Sequence, residues 1–218
     1  MKVKYVFLIT LFTVTLFSCN RHAKTYNFDY GKFENGTYSN NYFNLEFSIP
    51  DDWHALTQEQ NINLMNKIDE FISEDNKILQ QAVETSKITT VILFTGSQYG
   101  LDVKEGEYNP NIMLLAENIS GTDKVNSSAD YLHITRNALQ QEPSPKTFPF
   151  NSFQIKNINN SEFALMRVVN YNSDNQSFTQ DYYVKLEKEF ALTFILTYNS
   201  EIQKTTLEQI LHTLTISQ

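Results

Sequence analysis

The chain has 218 residues, of which 41% are hydrophobic and 13% aromatic. This composition excludes an intrinsically disordered chain, and the length suffices for one domain with a sizeable buried core. The net charge is −8, from 17 basic and 25 acidic residues, and no basic run exceeds two residues. Because nucleic-acid binding depends on clustered lysine and arginine, the sequence argues against a nucleic-acid partner.

The N-terminal segment has the form of a secretory signal. Lys2 and Lys4 precede an uncharged, mainly apolar stretch from Val6 to Phe17. That stretch is about a dozen residues long, whereas a helix needs about 20 residues to cross a bilayer core of ~30 Å, so it predicts a signal peptide. It ends in Leu16-Phe17-Ser18-Cys19, which resembles the lipobox of bacterial lipoproteins. The resemblance implies cleavage before Cys19 and acylation of its sulfur.

Cys19 is the only cysteine, so the mature protein has no disulfide. Two acyl chains suffice for stable attachment, and the lipid bilayer is therefore an expected partner through acylated Cys19. An ordinary cleaved signal followed by an incidental cysteine is the alternative. Without residues 1–18, which contain two lysines and no acid, 15 basic residues face 25 acidic ones, so the mature net charge is −10. The lipid, and not charge, is the expected anchor.

Composition divides the chain into three parts. Residues 1–18 are the predicted signal peptide, residues 19–35 a lipidated cysteine with a polar tether, and residues 36–218 a single domain that begins at Gly36. No acidic run follows Cys19, and such a run resembles a surface-export signal in some lipoproteins. Its absence favours a protein that faces the periplasm, and a bacterial outer-membrane location is expected.

The domain is predicted to open with a hairpin and a helix. Residues 43–49 alternate apolar and polar side chains, as in a half-buried strand, and residues 36–39 suit its hairpin partner. Thr57 with Gln60 forms a capping box, in which each side chain satisfies a backbone donor of the other residue. The apolar stripe that follows predicts a helix as far as Leu79.

The remaining pattern predicts further strands and two more helices. Ser127 with Asp130 and Ser200 with Gln203 are capping signatures, each placed before an apolar helical stripe. The strands are predicted at 89–95, 112–119, 163–171, 178–186 and 190–198. The inward-facing helical residues are predicted to be Tyr131, Leu132, Thr135, Ala138 and Leu139, then Ile202, Leu207, Ile210, Leu211 and Leu214. This order predicts an α+β fold, a central antiparallel β-sheet flanked by helices.

Two segments resemble the PsbP/Mog-like fold. Residues 42–53, Tyr-Phe-Asn-Leu-Glu-Phe-Ser-Ile-Pro-Asp-Asp-Trp, form an aromatic strand that runs into proline and tryptophan, and residues 191–198 form an apolar strand before the closing helix. The resemblance covers about Gly36 to Gln218 and implies an α/β/α sandwich. It also implies docking on other proteins as the mode of action, and it supplies no catalytic motif.

Few residues suggest chemistry. The histidines, His22, His54, His133 and His212, show no metal-ligand spacing. Asp52 beside His54 could serve acid–base chemistry, but a turn at Pro50 with Trp53 packed under the sheet is the favoured interpretation. The acids Asp102, Glu105 and Glu107 are expected in a solvated loop, and calcium binding there is the alternative. We therefore expect no catalytic residue, no metal and no cofactor.

Four tyrosines lie on neighbouring predicted strands: Tyr171, Tyr182, Tyr183 and Tyr198. Aromatic side chains on an exposed sheet face could form a protein-docking patch. The alternative is that they lie at the edge of the core, with their hydroxyls in water.

These observations favour a non-catalytic envelope lipoprotein that acts as an interaction module for another envelope protein. The alternative is a carrier of a small apolar ligand or lipid, which requires an apolar cavity of ~300–1,000 Å³. A hydrolase, resting on Asp52 and His54 alone, is the least favoured interpretation.

Replacing Cys19 by Ala removes the sulfur to which lipid would be attached. We expect the variant to incorporate no labelled fatty acid and to leave the membrane fraction, whereas Ser18→Ala, which keeps a small residue before the cysteine, should behave as wild type. A Cys19→Ala protein that still carries label and sediments with membranes would contradict the lipid anchor.

Overall fold

The computed structural model describes residues 29–67, 89–100, 108–122, 124–142, 144–171 and 176–217. Strands and helices follow one another along these residues in an antiparallel α+β arrangement. The strands are β1 (Lys32–Glu34), β2 (Thr37–Asn40), β3 (Leu45–Ser48), β4 (His54–Ala55), β5 (Thr90–Ser97), β6 (Asn111–Asn118), β7 (Lys146–Thr147), β8 (Gln154–Ile158), β9 (Ser161–Tyr171), β10 (Ser177–Glu187), β11 (Phe190–Tyr198) and β12 (Thr215–Ile216). The helices are α1 (Gln58–Lys67), α2 (Ser128–Leu139) and α3 (Glu201–Leu211).

A large antiparallel sheet forms the centre of the molecule. Its strand order is β4-β5-β6-β11-β10-β9-β7, and β8 also pairs with β9. The long strands predicted from the sequence are the central strands of this sheet. The connection from β10 to β11 is a hairpin, in which Glu187 pairs with Phe190. The predicted central antiparallel sheet is therefore confirmed.

Strand β11 is buried along its whole length. Phe190, Leu192, Phe194, Leu196 and Tyr198 face one core, as their alternation predicts. Ala191 and Ile195 face a second core on the other side of the sheet. A strand buried on both faces requires a cover on each side of the sheet.

A small sheet and α3 cover the first face. The small sheet has the order β1-β2-β3-β12, so the predicted β2–β3 hairpin is confirmed and lies within a larger unit. Phe47 of β3 contacts Phe94 and Phe194 of the large sheet edge to face, with ring centroids 5.1 and 5.6 Å apart. Such aromatic pairs add packing energy beyond the area that they bury.

Helix α3 contributes Leu207, Ile210 and Leu211 to this core, as predicted. The prediction for Ile202 is wrong, because its side chain is 82% exposed. Five residues separate Ile202 from Leu207, and at 3.6 residues per turn that spacing rotates the side chain by about 140°. Ile202 therefore points away from the buried stripe.

Helices α1 and α2 pack toward the second face. Ser127 caps α2 by accepting a hydrogen bond from the backbone of Asp130, and the buried side chains of α2 are the five that the sequence predicts. At α1, the Thr57 and Gln60 side chains exchange the two bonds of the predicted capping box. The part of this predicted helix beyond residue 67 lies outside the described residues.

The folded region starts earlier than the boundary predicted at Gly36. The Asp29 carboxylate accepts hydrogen bonds from the backbone N–H groups of Gly31, Asn41 and Tyr42, at 2.9, 3.0 and 3.2 Å. Strand β1 then pairs with β2, and its Phe33 contacts Phe94. The segment is polar and lacks periodicity, yet residues 29–35 belong to the fold and not to the tether because of these long-range contacts.

Replacing Asp29 by Ala should destabilise the protein by about 2 kcal/mol, since hydrogen bonds to a charged group contribute about 1.5–3 kcal/mol. Urea unfolding of the mature chain measures the change. Glu34→Ala, at an exposed position of β1, is the matched control and should change stability little. Equal stabilities for the two variants would show that Asp29 does not hold this segment in place.

Candidate functional site

The predicted lipidation residue, Cys19, lies outside the described residues, and the first described residue is Asp29. Within the described ranges, no helix is both long and apolar enough to cross a membrane.

Three of the four tyrosines predicted as an interaction surface are buried. Tyr182 is 2% exposed and packs toward α2, whereas Tyr183 and Tyr198 are each 4% exposed and belong to the opposite core. Tyr171, at the end of β9, is half-buried. Adjacent residues of a strand point to opposite faces, and both faces of this sheet are covered, so these residues do not form one exposed patch. The prediction of a shared docking surface is corrected accordingly.

Tyr198 instead belongs to a buried polar network. Its hydroxyl donates to Oδ2 of Asp181 at 2.9 Å, and Asp181 is fully buried. Arg167 donates to the same carboxylate through Nε and Nη2, both at 2.6 Å, in a bidentate pair. These bonds to Asp181 raise the pKa of Arg167. The network joins β9, β10 and β11.

The geometry of this network indicates a structural role. The Arg167 guanidinium also lies over the Phe150 ring, 5.3 Å from its centroid. The charge of Arg167 is neutralised by Asp181, and the carboxylate is satisfied by three donated bonds. Removing one partner of such a buried pair leaves an uncompensated charge, which is strongly destabilising.

A second buried carboxyl group lies on the other face of the sheet. Glu117 of β6 is 8% exposed and accepts a hydrogen bond of 2.7 Å from the hydroxyl of Tyr131 on α2. Burial raises the pKa of Glu117 to about 8, and the hydrogen bond from Tyr131 partly offsets that effect. At neutral pH the group is therefore mainly protonated. It is the one glutamate in an otherwise apolar run of β6, a signal that the sequence analysis missed.

Asp52 and His54, the residues suspected of acid–base chemistry, lie at an exposed turn. Asp51, Asp52 and His54 are exposed, whereas Trp53 is buried. The backbone N–H of Trp53 donates to the carbonyl of Pro50 at 3.0 Å. This is the turn that the sequence favoured. The loop acids Asp102, Glu105 and Glu107 lie outside the described residues. Among the residues that are described, no group of three or more His, Cys, Asp or Glu side chains could hold a metal ion.

Two exposed isoleucines lie on different elements of the fold. Ile202 is on the first turn of α3, and Ile155, 58% exposed, is on β8. Close to Ile202, the Gln203 side chain donates to the carbonyl of Tyr108 at 3.4 Å. Asn109 then donates to the carbonyl of Gly100 at 2.7 Å. The start of α3 therefore lies beside the loop that joins β5 to β6.

No protein-family model matches this chain, and no curated protein is recognisably similar to it. Solved structures with a similar fold include the cyanobacterial PsbP protein (CyanoP) of Synechocystis sp. PCC 6803, at TM-score 0.49 and 12% identity over 83% of this chain and 91% of that one. LpqN of Mycobacterium tuberculosis, described as involved in cell envelope biogenesis, has TM-score 0.43 and 13% identity over 80% of this chain and 83% of its own.

A protein from Bacteroides thetaiotaomicron VPI-5482 has TM-score 0.38 and 13% identity, and the similar region spans 80% of this chain but only 46% of that protein. At such low identities the similarities concern the fold alone.

Replacing Glu117 by Gln should change how stability depends on pH. The pKa of Glu117 is higher in the folded state, so its contribution is fully present below the unfolded pKa of about 4.5 and is lost as pH rises through about 8. At about 1.4 kcal/mol per pKa unit, the loss is on the order of 3–5 kcal/mol. Free energies of unfolding should be measured from pH 4.5 to 9. As pH rises, the stability of Glu117→Gln should increase relative to that of wild type.

The control for this measurement is Glu46→Gln, because Glu46 is exposed on β3. Its stability should follow the wild-type curve at every pH. If Glu117→Gln also runs parallel to wild type, Glu117 does not take up a proton on folding in this pH range.

Proposed function

We propose that the protein is a cell-envelope lipoprotein, anchored through acylated Cys19, that acts as a non-catalytic interaction module for another envelope protein. The observation that carries the anchor is the sequence Leu16-Phe17-Ser18-Cys19 after an uncharged apolar stretch, with the only cysteine of the chain at the position that a lipobox requires. The sequence after the cysteine, Asn20-Arg21-His22-Ala23-Lys24, contains no acid, which supports an outer-membrane position facing the periplasm.

The non-catalytic part of the proposal is supported by how the buried ionisable groups are used. Asp181 is engaged by Arg167 and Tyr198, and Glu117 is held by Tyr131 beneath α2. Both carboxyl groups are therefore removed from solvent and from any substrate that approaches the surface. Their use inside the fold agrees with the proposed role, which is binding through the surface.

Ile202 is the surface residue that best supports protein docking. Single exposed apolar residues are common, but this isoleucine is 82% exposed on a helix whose other leucines and isoleucines are buried. Apolar side chains on a helix can anchor it in a hydrophobic groove of a partner. The first turn of α3 is therefore the surface to test for a partner.

The test is capture of partners by the lipidated protein from cross-linked native membranes, with excess mature chain as competitor. We expect an envelope protein that the competitor displaces and that Ile202→Asp fails to retain. The matched control is Ile155→Asp, which makes the same change at the exposed isoleucine of β8 and should retain the partner. A displaceable partner retained equally by both variants would exclude the start of α3.

If no displaceable partner is found, and an apolar molecule co-purifies with the protein in native mass spectrometry, the interaction module is contradicted in favour of the ligand-carrier alternative.

A further inference from the structure

The end of the domain at which the N-terminal segment enters is fixed by the structure. Asp29 accepts hydrogen bonds from the backbone of Asn41 and Tyr42, and the Asn40 side chain donates to the carbonyl of Asp29 at 2.7 Å. These bonds hold the entry point of the chain against the turn between β2 and β3. We call this turn, with the tip of the β10–β11 hairpin and the loop after β6, the entry end.

These three parts of the entry end contact one another. The hydroxyl of Tyr42 donates to Oε1 of Glu189 at 3.2 Å. Ile119, in the loop after β6, donates its N–H to the carbonyl of Glu189 at 2.9 Å. The hairpin tip therefore joins the β2–β3 turn to the loop after β6 in one continuous surface.

The start of α3 lies at the opposite end of the large sheet. Strand β11 runs from Phe190, beside the entry end, to Tyr198, just before α3. Eight residue steps of about 3.3 Å place these two ends about 26 Å apart. Residue Glu201, at the first position of α3, is therefore far from the entry end.

The length of chain between Cys19 and Asp29 limits how the domain can meet the bilayer. Ten residue steps span at most about 35 Å even when fully extended. To bring the start of α3 to the membrane, the chain would have to run back along about 26 Å of the sheet, which uses about three quarters of its maximum reach. The entry end can reach the membrane with no such constraint.

The chemistry of the entry end suits a layer of lipid headgroups. The Lys188 ammonium lies over the Tyr42 ring, 4.1 Å from its centroid, and donates to the Tyr42 carbonyl. Lysine and tyrosine each combine an apolar body with a polar tip, as interfacial residues do. Asp29 and Glu189 each accept hydrogen bonds within the protein. Lys188 is exposed and presents a cation to anionic headgroups at this end.

We propose that the entry end, with the Tyr42–Lys188 contact at its centre, lies against the phospholipid headgroups, and that the start of α3 points away from the bilayer. The inference rests on the proposed anchoring through Cys19. In this orientation Ile202 lies at the end of the domain that is far from the membrane, where a protein partner can reach it.

Acylation turns the Cys19 sulfur into a thioether, so a cysteine introduced elsewhere is the only thiol of the lipidated protein. Ser120→Cys places that thiol in the loop after β6, and Glu201→Cys places it at the start of α3; both positions are exposed. Each variant is labelled with a small fluorophore and reconstituted into phosphatidylethanolamine–phosphatidylglycerol vesicles that contain a headgroup-spin-labelled lipid. We expect quenching to be several-fold stronger at position 120 than at position 201. Equal quenching, or stronger quenching at position 201, would overturn the orientation.

Charge reversal tests the contact itself. Lys188→Glu, combined with Ser120→Cys, should lower quenching at position 120, while Lys204→Glu makes the same charge change on α3 and should leave it unchanged. Equal effects of the two reversals would overturn the role of Lys188. Flotation of the vesicles distinguishes failure of the anchor from failure of the orientation. Protein that fails to float with the vesicles refutes the Cys19 anchor. Protein that floats but shows no quenching difference refutes the orientation alone.

Discussion

The rest of the structure depends on burial of β11 on both of its faces. All nine residues of this strand are buried, so each side of the large sheet needs an apolar cover. The small sheet and α3 supply one cover, and α1 and α2 supply the other. The same constraint explains why Asp181, on the neighbouring strand β10, is paired with Arg167 and Tyr198. A carboxylate that cannot reach water must find its charge and hydrogen-bond partners within the protein.

Two buried carboxyl groups are accommodated in two different ways. Asp181 is paired with a cation and joins three strands, whereas Glu117 has a tyrosine hydroxyl as its partner and a pKa raised to about 8 by burial. Both groups lie in the interior and are held by partners within the protein. The features on which the proposed role rests lie elsewhere, at the predicted lipobox and at the two ends of the sheet.

Sequence patterns predicted what depends on residues close together in the chain. The capping pairs at Thr57, Ser127 and Ser200 and the alternation along β11 are local signals, and the structure confirms them. Features that depend on distant residues were missed. Asp29 belongs to the fold because of the turn at Asn41, and Tyr183 is buried because the small sheet and α3 cover its face. The sequence around Asp29 or Tyr183 does not indicate which distant element will pack against it.

The residues with proposed roles show the same contrast between local signals and distant contacts. Cys19 was assigned from a local motif, whereas Ile202 and Lys188 gain their significance only from their positions at opposite ends of the sheet. The central claim, that lipid on Cys19 holds the protein in the envelope, is tested most directly by the intact mass and N-terminal peptide of the protein extracted from native membranes. We expect a chain that begins at Cys19 and carries the mass of two or three acyl chains. A chain that begins at another residue, or whose Cys19 is a free thiol, would contradict it.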